Sequence, residues 1–493
     1  FAVFIIDPHF AGPDKVGLNR YRFLLESLHD LDKGLRERGS RLILLRGKPE
    51  EVLKSFAKEI HASQLTFEFD TEPYAKTRDD KVVQELEASG IEVESVVGHT
   101  LWDARQIFSL GGDKVPLTFR SFEALVRTLP KPPKPFAAPL HLPPLPHLPS
   151  SLSSILYSTL PSLSSLGYSS ALEKEALDLE TFHISISSSS PSGLVGGERE
   201  GIARLRAVLE REDWVRKFSK PDTSPTSLEA STTELSPWLK FGCVGVREMW
   251  WGLDKIAKKL TAPPVSLSGQ LLWREFYYAH SFATENFHQM AGNPLCRTIA
   301  WHKDEEKLMA WKEGRTGYPW IDACMRQLRV TGWIHHLQRH CVACFLTRGD
   351  LYLSWEEGEK VFDEFLIDAD YALNAGNWMW VSCSAFYHQF HRIYGPVSFP
   401  KKTNKKGALV RKWVPELKDF PDKYIYEPWK APREVQASAG CVIGTDYPER
   451  IFIHEEASSA CKARMAMAFR IGRERKEREG RGGKRRKKGG EGE

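Results

Sequence analysis

The stretch GWIHHLQRHCVACF, residues 332–345, places three histidines, one arginine and two cysteines in an otherwise apolar segment. Its apolar residues recur at helical spacing, which predicts a helix. On that helix Trp333, His336, His340 and Cys344 share one stripe, and His335 points about 100° away. Helical periodicity continues on both sides of the stretch, so the surrounding domain is predicted to be all-α.

The histidine stripe has three interpretations. Its H-x-x-x-H and C-x-x-C spacings are similar to those of zinc ligands, but both pairs lie on one helix, and Cys341 cannot join the face of His336 and His340. We therefore predict no metal. A buried helix with hydrogen-bonded histidines is the ordinary interpretation. A functional role requires other residues that indicate the same chemistry.

Outward from this stretch, the chain divides into four predicted parts. In residues 1–129 short β runs alternate with amphipathic helices, which predicts a parallel, Rossmann-like α/β sheet, although no glycine-rich phosphate loop follows any strand. Residues 130–196 are rich in Pro, Ser and Leu and predict a linker, because this proline density excludes long helices. Residues 197–470 predict a large all-α domain, and residues 471–493 a basic disordered tail.

Charge and composition limit the classes of partner. The formal charge is +5, and the segment from Arg473 onward accounts for all of it, so any anionic partner of residues 1–472 must bind to a local patch. The run KRRKK, residues 484–488, predicts a nuclear location, with the cytoplasm or an organelle as alternatives, or else it is a solvated tail. Eight scattered cysteines predict reduced thiols. No apolar run is long enough to cross a membrane.

A second motif, LIDADYALNAGNWMW, spans residues 366–380. Asp368 and Asp370 have the spacing of a D-x-D metal site, but small residues follow them rather than further carboxylates. Hydrogen bonding to a planar cofactor suits them better, with an ion pair between one aspartate and Arg339, and with Asn374 supplying an amide.

Several motifs together resemble those of one family, the photolyases and cryptochromes, flavoproteins that repair ultraviolet-damaged DNA or sense blue light. The resemblance is closest to the branch of (6-4) photolyases and animal-type cryptochromes, and within it to animal-like cryptochromes of algae. It covers the chain except the linker and the tail. The motifs that carry it are TTELSPWLKFG, GQLLWREFYYAH, GYPWIDACMRQLRVTGWIHHLQRH, CFLTRGDLYLSWEEG and DADYALNAGNWMW.

The resemblance implies that the helical domain binds FAD and that a histidine pair acts on the DNA lesion. His336 and His340 occupy the positions of that pair, and we expect His340 to be the acid, since imidazole titrates near neutral pH. The implied contacts of the phosphates and ribityl chain are Thr232, Thr233, Leu235, Ser236, Gln270 and Arg274. The implied contacts of the flavin ring are Arg339, Asp368, Asp370 and Asn374. For the Ser and Thr residues, helix capping is the alternative.

The resemblance also implies routes for electrons and for DNA. The implied electron-transfer residues are Trp378, Trp355, Trp301 and, as an outer fourth member, Tyr352; core packing is the alternative for each tryptophan. The expected partner is damaged double-stranded DNA with a flipped lesion. Its implied contacts are Trp273 and Trp380 as apolar walls, and Arg392, Lys401 and Lys402 at phosphates.

Two roles remain open at this point. The first is repair of (6-4) photoproducts, favoured by Asn374, where animal circadian cryptochromes typically carry cysteine. The second is a non-enzymatic photoreceptor with signalling protein partners, for which Tyr352 is also suited. An antenna chromophore, either a folate or 8-hydroxydeazaflavin, is expected in the α/β domain, which lacks the family's usual first strand. We expect a monomer.

Overall fold

The structure is a computed structural model that describes residues 1–174, 193–256 and 261–488, with side chains up to residue 474. The chain forms two compact units. The first unit comprises Phe1–Glu285, Gln327–Ile334 and Val361–Asn374. The second comprises Asn286–Arg326, His335–Lys360 and Ala375–Glu493. Since residues on both sides of the Pro/Ser/Leu-rich segment lie in the first unit, the sequence-based domain boundaries stay a prediction.

The N-terminal part has the predicted alternation of strands and helices, and its strands pair in parallel. β1 pairs with β2 and β3 with β4, which gives two two-stranded sheets where we expected one sheet. Each crossover is a helix, as parallel pairing requires. The elements are β1 (Ala2–Ile6), α1 (Leu18–Glu37), β2 (Leu42–Arg46), α2 (Pro49–Glu59), β3 (Gln64–Glu68), α3 (Pro73–Glu87) and β4 (Glu92–Val96).

Part of the predicted linker packs against this α/β part. Leu152 and Tyr168 are fully buried, and the Tyr157 N–H donates to the Leu44 carbonyl at 2.9 Å, which adds an antiparallel bridge at the edge of β2. These residues therefore belong to the fold of the first unit rather than forming a loose connection. The predicted linker residues 175–192 lie outside the described residues.

The rest of the described chain is helical, as predicted. The helices that follow β4 are α4 (Ala104–Leu110), α5 (Phe119–Val126), α6 (Glu198–Glu210), α7 (Glu212–Lys217), α8 (Ser236–Lys240), α9 (Val246–Ile256), α10 (Leu267–Ala283), α11 (Glu305–Glu313), α12 (Pro319–Thr331), α13 (His336–Cys344), α14 (Trp355–Phe365), α15 (Tyr371–Val381), α16 (Ser398–Thr403), α17 (Ala408–Trp413), α18 (Arg433–Ser438) and α19 (His454–Lys488).

The last helix changes one prediction. α19 continues to Lys488, so residues 471–488 are helical where we expected a disordered tail. The reason is local, since Arg, Glu and Lys are good helix formers and pairs such as Arg470 and Glu474 lie one turn apart. Among the described residues, no helix is both long and apolar enough to cross a membrane.

Candidate functional site

The first unit contains a buried cluster around Asp370, which is only 8% exposed. The Tyr278 hydroxyl donates to Asp370 Oδ2, and His99 Nε2 lies 3.8 Å from the same oxygen. Oδ1 accepts the Leu373 N–H at 3.0 Å, which caps the first turn of α15. Both carboxylate oxygens of Asp370 therefore have protein partners.

The surroundings of Asp370 keep it ionised. Burial alone would raise the pKa of its carboxyl, but the neighbouring His99, the positive charge of Arg274 and the hydrogen bond from Tyr278 lower it to about 2. Asp370 was predicted to contact the flavin ring. The structure adds a role that the motif did not indicate, because Asp370 links the start of α15 to Tyr278 on α10 and to the loop after β4.

Arg274 is almost fully buried on α10, and one of its guanidinium nitrogens has no hydrogen-bond partner among the described residues. Its Nη1 donates to the His99 carbonyl at 2.6 Å and lies 3.7 Å from Glu275, and its guanidinium lies 4.6 Å from the centre of the Tyr278 ring. Its buried Nη2 has no hydrogen-bond partner among the described residues. A buried guanidinium nitrogen without a partner suits an anionic group, so Arg274 fits the predicted contact with the phosphates of FAD.

The other predicted phosphate and ribityl contacts also lie in the first unit. Thr233 Oγ1 accepts the Leu235 N–H at 3.4 Å, which is a local turn just before α8 and not a helix cap, since the N-cap of α8 is Leu235 and has no side-chain hydrogen bond. Leu235 is buried, and Ser236 is exposed and accepts from Trp333 Nε1 at 3.3 Å. Thr232 is half-buried. Gln270 donates to the Pro264 carbonyl at 2.8 Å, so its amide is already engaged within the protein.

The predicted ring contacts are divided between the two units. Asp368 and Asn374 are half-buried in the first unit, where the Asn374 N–H donates to the Asp370 carbonyl at 2.7 Å. Arg339 is half-buried on α13 in the second unit. The ion pair between Arg339 and an aspartate therefore stays a prediction.

The helix of the histidine stretch begins later than its periodicity predicted. Gly332 has a φ of +70° after α12 ends, and the next helix, α13, starts at His336, so Trp333 precedes the helix and is not part of its stripe. His335 is the N-cap and forms a capping box with Gln338. His335 thus has a structural role as a helix cap. This role agrees with its predicted position away from the stripe of His336 and His340.

His336 and His340 lie one turn apart on α13 in the second unit. Their ring centres are 6.1 Å apart, and both residues are half-buried. Among the described residues, no group of three or more His, Cys, Asp or Glu side chains is placed to hold a metal ion. Their spacing of one helical turn is compatible with the predicted role of the pair in proton transfer.

An aromatic stack extends from His340. Its ring is stacked on Trp380, with centres 5.4 Å apart and an interplanar angle of 27°. Trp380 is also stacked on Tyr387, with ring centres 4.3 Å apart and an interplanar angle of 29°. Sequence reasoning missed Tyr387, and the aromatic run FYHQF at residues 386–390 was the available signal. Trp273, the other predicted apolar wall, is in the first unit and stacks on Phe119 at 4.4 Å.

The predicted electron-transfer residues all lie in the second unit. Trp378, Trp355 and Tyr352 are buried, and Trp301 is half-buried. The Trp301 and Tyr352 rings are 4.9 Å apart, so the two predicted outer members are in direct contact. Burial raises the pKa of the Tyr352 phenol to about 12.

Trp378 packs against the first turn of α14. A Cβ added at Gly358 would lie 2.6 Å from Cζ3 of Trp378, so the glycine leaves room for the indole. Gly358 and Trp355 are three residues apart on α14 and therefore share a face. The helix that begins with Trp355 thus directly contacts Trp378.

The predicted phosphate contacts differ from one another. Arg392 and Lys402 are exposed. Lys401 is half-buried and forms an ion pair with Glu427, which also lies 2.5 Å from Lys430. Part of the positive charge that the sequence predicted for this surface is therefore balanced by Glu427, a residue well separated from Lys401 along the chain.

A family model described as "FAD binding domain of DNA photolyase" matches residues 266–467, and one described as "DNA photolyase" matches residues 1–140. Over 96% of its length, the chain is 44% identical to the (6-4)DNA photolyase of Arabidopsis thaliana, of which the match covers 84%. The chain belongs to the photolyase/cryptochrome family. It is also 44% identical to Cryptochrome-2 of Gallus gallus, over 95% of this chain and 78% of the relative. Among solved structures, a Synechocystis cryptochrome matches with a TM-score of 0.80 and 26% identity, covering 94% of this chain and 92% of that one.

Membership of the photolyase/cryptochrome family confirms the predicted fold class and identifies FAD as the cofactor. It also indicates DNA as a partner at the level of the family. Both predicted roles, DNA repair and photoreception, are represented among the relatives.

Proposed function

We propose that this protein uses blue light to repair (6-4) pyrimidine–pyrimidone photoproducts in DNA. The observation that carries the proposal is the position of His340, one turn from His336 and stacked on Trp380. Repair of this lesion requires a hydroxyl group to move between two pyrimidines, so a proton must be delivered and returned. An imidazole is suited to both steps because its unperturbed pKa lies near neutral pH.

In this proposal His340 donates the proton and His336 supports it. The stacking on Trp380 fixes the plane of the His340 ring, and the helix fixes its spacing from His336. Positioning of this kind matters because proton transfer requires the donor to be within hydrogen-bond reach of the reacting atom.

FAD, when bound in its reduced form, supplies an electron after absorbing blue light. The residues proposed to hold it are Thr232, Thr233, Leu235, Ser236, Gln270, Arg274, Arg339, Asp368, Asp370 and Asn374. The buried Nη2 of Arg274 supports a contact with a phosphate of FAD. The ionised Asp370 would supply a fixed negative charge to the polar edge of the flavin ring. Trp378, Trp355, Trp301 and Tyr352 are proposed to carry the electrons that reduce bound FAD.

The DNA partner is proposed to be a damaged duplex whose lesion is flipped out of the stack, because the reacting bases are not accessible inside a duplex; photolyases are a standard example of this behaviour. Trp273 and Trp380 would contact the extruded bases. The exposed Arg392 and Lys402 would contact phosphates, with Lys401 contributing less because Glu427 already pairs with it. We further propose a nuclear monomer with a folate or 8-hydroxydeazaflavin antenna.

A second function, photoreception with a signalling partner, is supported by a different contact. Arg464 on α19 lies 5.4 Å from the centre of the Tyr352 ring, and Cys461 donates to the Asp350 carbonyl at 3.3 Å. A change in the charge of Tyr352 would alter this contact with the C-terminal helix. Light-dependent binding of a protein partner without any lesion turnover would favour this function over repair.

The test of repair uses the FAD-loaded full chain and an oligonucleotide carrying one (6-4) photoproduct. We expect His340→Ala to lower the repair rate by about 10²–10⁴-fold while FAD content and photoreduction stay unchanged. His29→Ala, which changes an exposed histidine of the first unit, is the matched control and should repair at the wild-type rate. Full repair by a His340→Ala variant that retains its FAD would refute the assignment.

A further inference from the structure

The segment LPPLPHL, Leu142–Leu148, has an exposure pattern that repeats every three residues. Leu142, Leu145 and Leu148 are half-buried, and all four residues between them are exposed. A polyproline II helix has three residues per turn, so residues three apart lie on the same face. The leucines therefore form one face of such a helix, turned toward the protein.

The local sequence favours this conformation. Each proline fixes its own φ near −65° and biases the residue before it toward extended dihedrals. Pro149, directly after the segment, has φ −57° and ψ 143°, close to ideal polyproline II values.

The leucine face is anchored on the α/β part of the first unit. The Leu142 N–H donates to the Arg38 carbonyl at 2.7 Å. Leu145 and Leu148 pack against a buried cluster whose members are Ile43, Leu45, Val52, Phe56 and Leu152. The segment is thus held extended before any partner arrives, which lowers the conformational entropy lost on binding.

The two remaining faces point to solvent. Pro143 and Pro146 share one of them, in P-x-x-P spacing, and Pro144 and His147 share the other. Domains that recognise polyproline II ligands have grooves lined by aromatic side chains, and they read P-x-x-P segments presented in this way. Between Pro143 and His147 there is no Lys, Arg, Asp or Glu, which disfavours nucleic acid or a charged membrane as the partner.

We propose that Pro143–His147 is a docking ligand for a protein domain with an aromatic-lined groove of the polyproline-recognition type. This function does not require the light reaction, because the described contacts of the segment are with Arg38 and with the buried cluster that contains Phe56 and Leu152, none of which is assigned to that reaction. It would recruit the protein to a partner in the dark and in the light alike.

The test measures binding of the FAD-loaded full chain to a panel of purified, isotopically labelled Src-homology-3 and WW domains by chemical-shift titration. We expect at least one domain to bind saturably, one per chain, and a Pro143→Ala/Pro146→Ala variant to bind about tenfold or more weakly. The matched control is Pro135→Ala/Pro139→Ala, which changes two exposed prolines outside Pro143–His147 and should bind as the wild type does.

A second variant, Pro144→Asp, places a charge on the neighbouring exposed face without altering the anchored leucines and should also weaken binding. Unaltered melting of the FAD-loaded variants would show that they remain folded. Binding by no domain of the panel, equal binding by the double variant, or an equal loss in the control would each overturn the proposal.

Discussion

Substitution of Gly358 by alanine tests whether the helix that begins with Trp355 fixes the position of Trp378. The added methyl group would lie 2.6 Å from Cδ2 of Leu346 and from Cζ3 of Trp378, and closer still to Trp378 Cη2. Since ordinary carbon contacts are about 3.5–4.0 Å, the indole must move by about 1 Å or more. Overpacking of this kind costs about 1–3 kcal/mol, and the better helix propensity of alanine returns up to about 1 kcal/mol. We expect a net loss of about 1–2 kcal/mol in the free energy of unfolding.

The assay combines denaturant unfolding with the rate at which bound FAD is photoreduced by blue light. The variant should be less stable and should photoreduce more slowly, because Trp378 is displaced from the face that carries Trp355. Gly34→Ala is the matched control, since its nearest neighbour is the Arg38 side chain at 3.6 Å, and it should stabilise α1 by up to about 1 kcal/mol. Wild-type stability together with wild-type photoreduction in Gly358→Ala would refute the reasoning.

Three further predictions concern Trp378, Asp370 and His454. Trp378→Phe should suppress photoreduction of bound FAD, whereas Trp311→Phe, which changes a ring 6.3 Å away, should not; equal rates in an illuminated absorption assay would remove Trp378 from the pathway. Asp370→Asn should lower the free energy of unfolding at pH 7 by about 2 kcal/mol, because its pKa falls from 3.8 to about 2 on folding. That difference should shrink as the pH falls through 3.8 toward 2 in denaturant titrations, and a constant difference would contradict it. Burial lowers the pKa of His454, but its 2.5 Å hydrogen bond to Asp350 raises it above 6.5, so the stability that His454 contributes should be lost as the pH rises through that pKa. Burial also raises the pKa of Asp350 to about 6, so melting curves of His454→Gln should show a smaller fall with rising pH and keep the part that Asp350 causes, whereas an unchanged fall would contradict the role of His454.

Local sequence patterns predicted the secondary structure of the α/β part well. Short β runs and amphipathic spacing predicted the alternation that the structure has as β1 to β4 and α1 to α3. The predicted start of α13 was wrong, because the positive φ of Gly332 interrupts an otherwise continuous helical pattern. Glycine at this position leaves room for Ile367, whose Cγ1 would lie 2.7 Å from an added Cβ, a contact that periodicity does not encode.

The candidate site was predicted only as far as its motifs extend. The motifs gave Asp370 and Arg274, but not His99, because the loop after β4 is far from both in sequence. Tyr278 carried a weak signal, since it lies one turn from Arg274 on α10. The pairing of Lys401 with Glu427 was likewise invisible, because ion pairs between distant segments depend on the tertiary fold.

The periodicity of the proline-rich segment was present in the sequence but was not used. A repeat of three leucines at Leu142, Leu145 and Leu148 distinguishes a packed polyproline II helix from an unstructured linker. High proline content predicts no long helix there, and the described part of residues 130–196 contains short 3₁₀ turns and a helical stretch at 169–174. Composition alone does not show which faces are buried.

Illumination of the FAD-loaded protein with a defined lesion tests the central claim most directly. Two oligonucleotides would be used, one with a (6-4) photoproduct and one with a cyclobutane dimer, and the restored bases would be quantified by chromatography after blue light and after darkness. The account predicts light-dependent restoration of the (6-4) lesion, with the cyclobutane dimer left unrepaired. A protein that photoreduces its FAD and binds the damaged DNA yet restores no (6-4) lesion would contradict it.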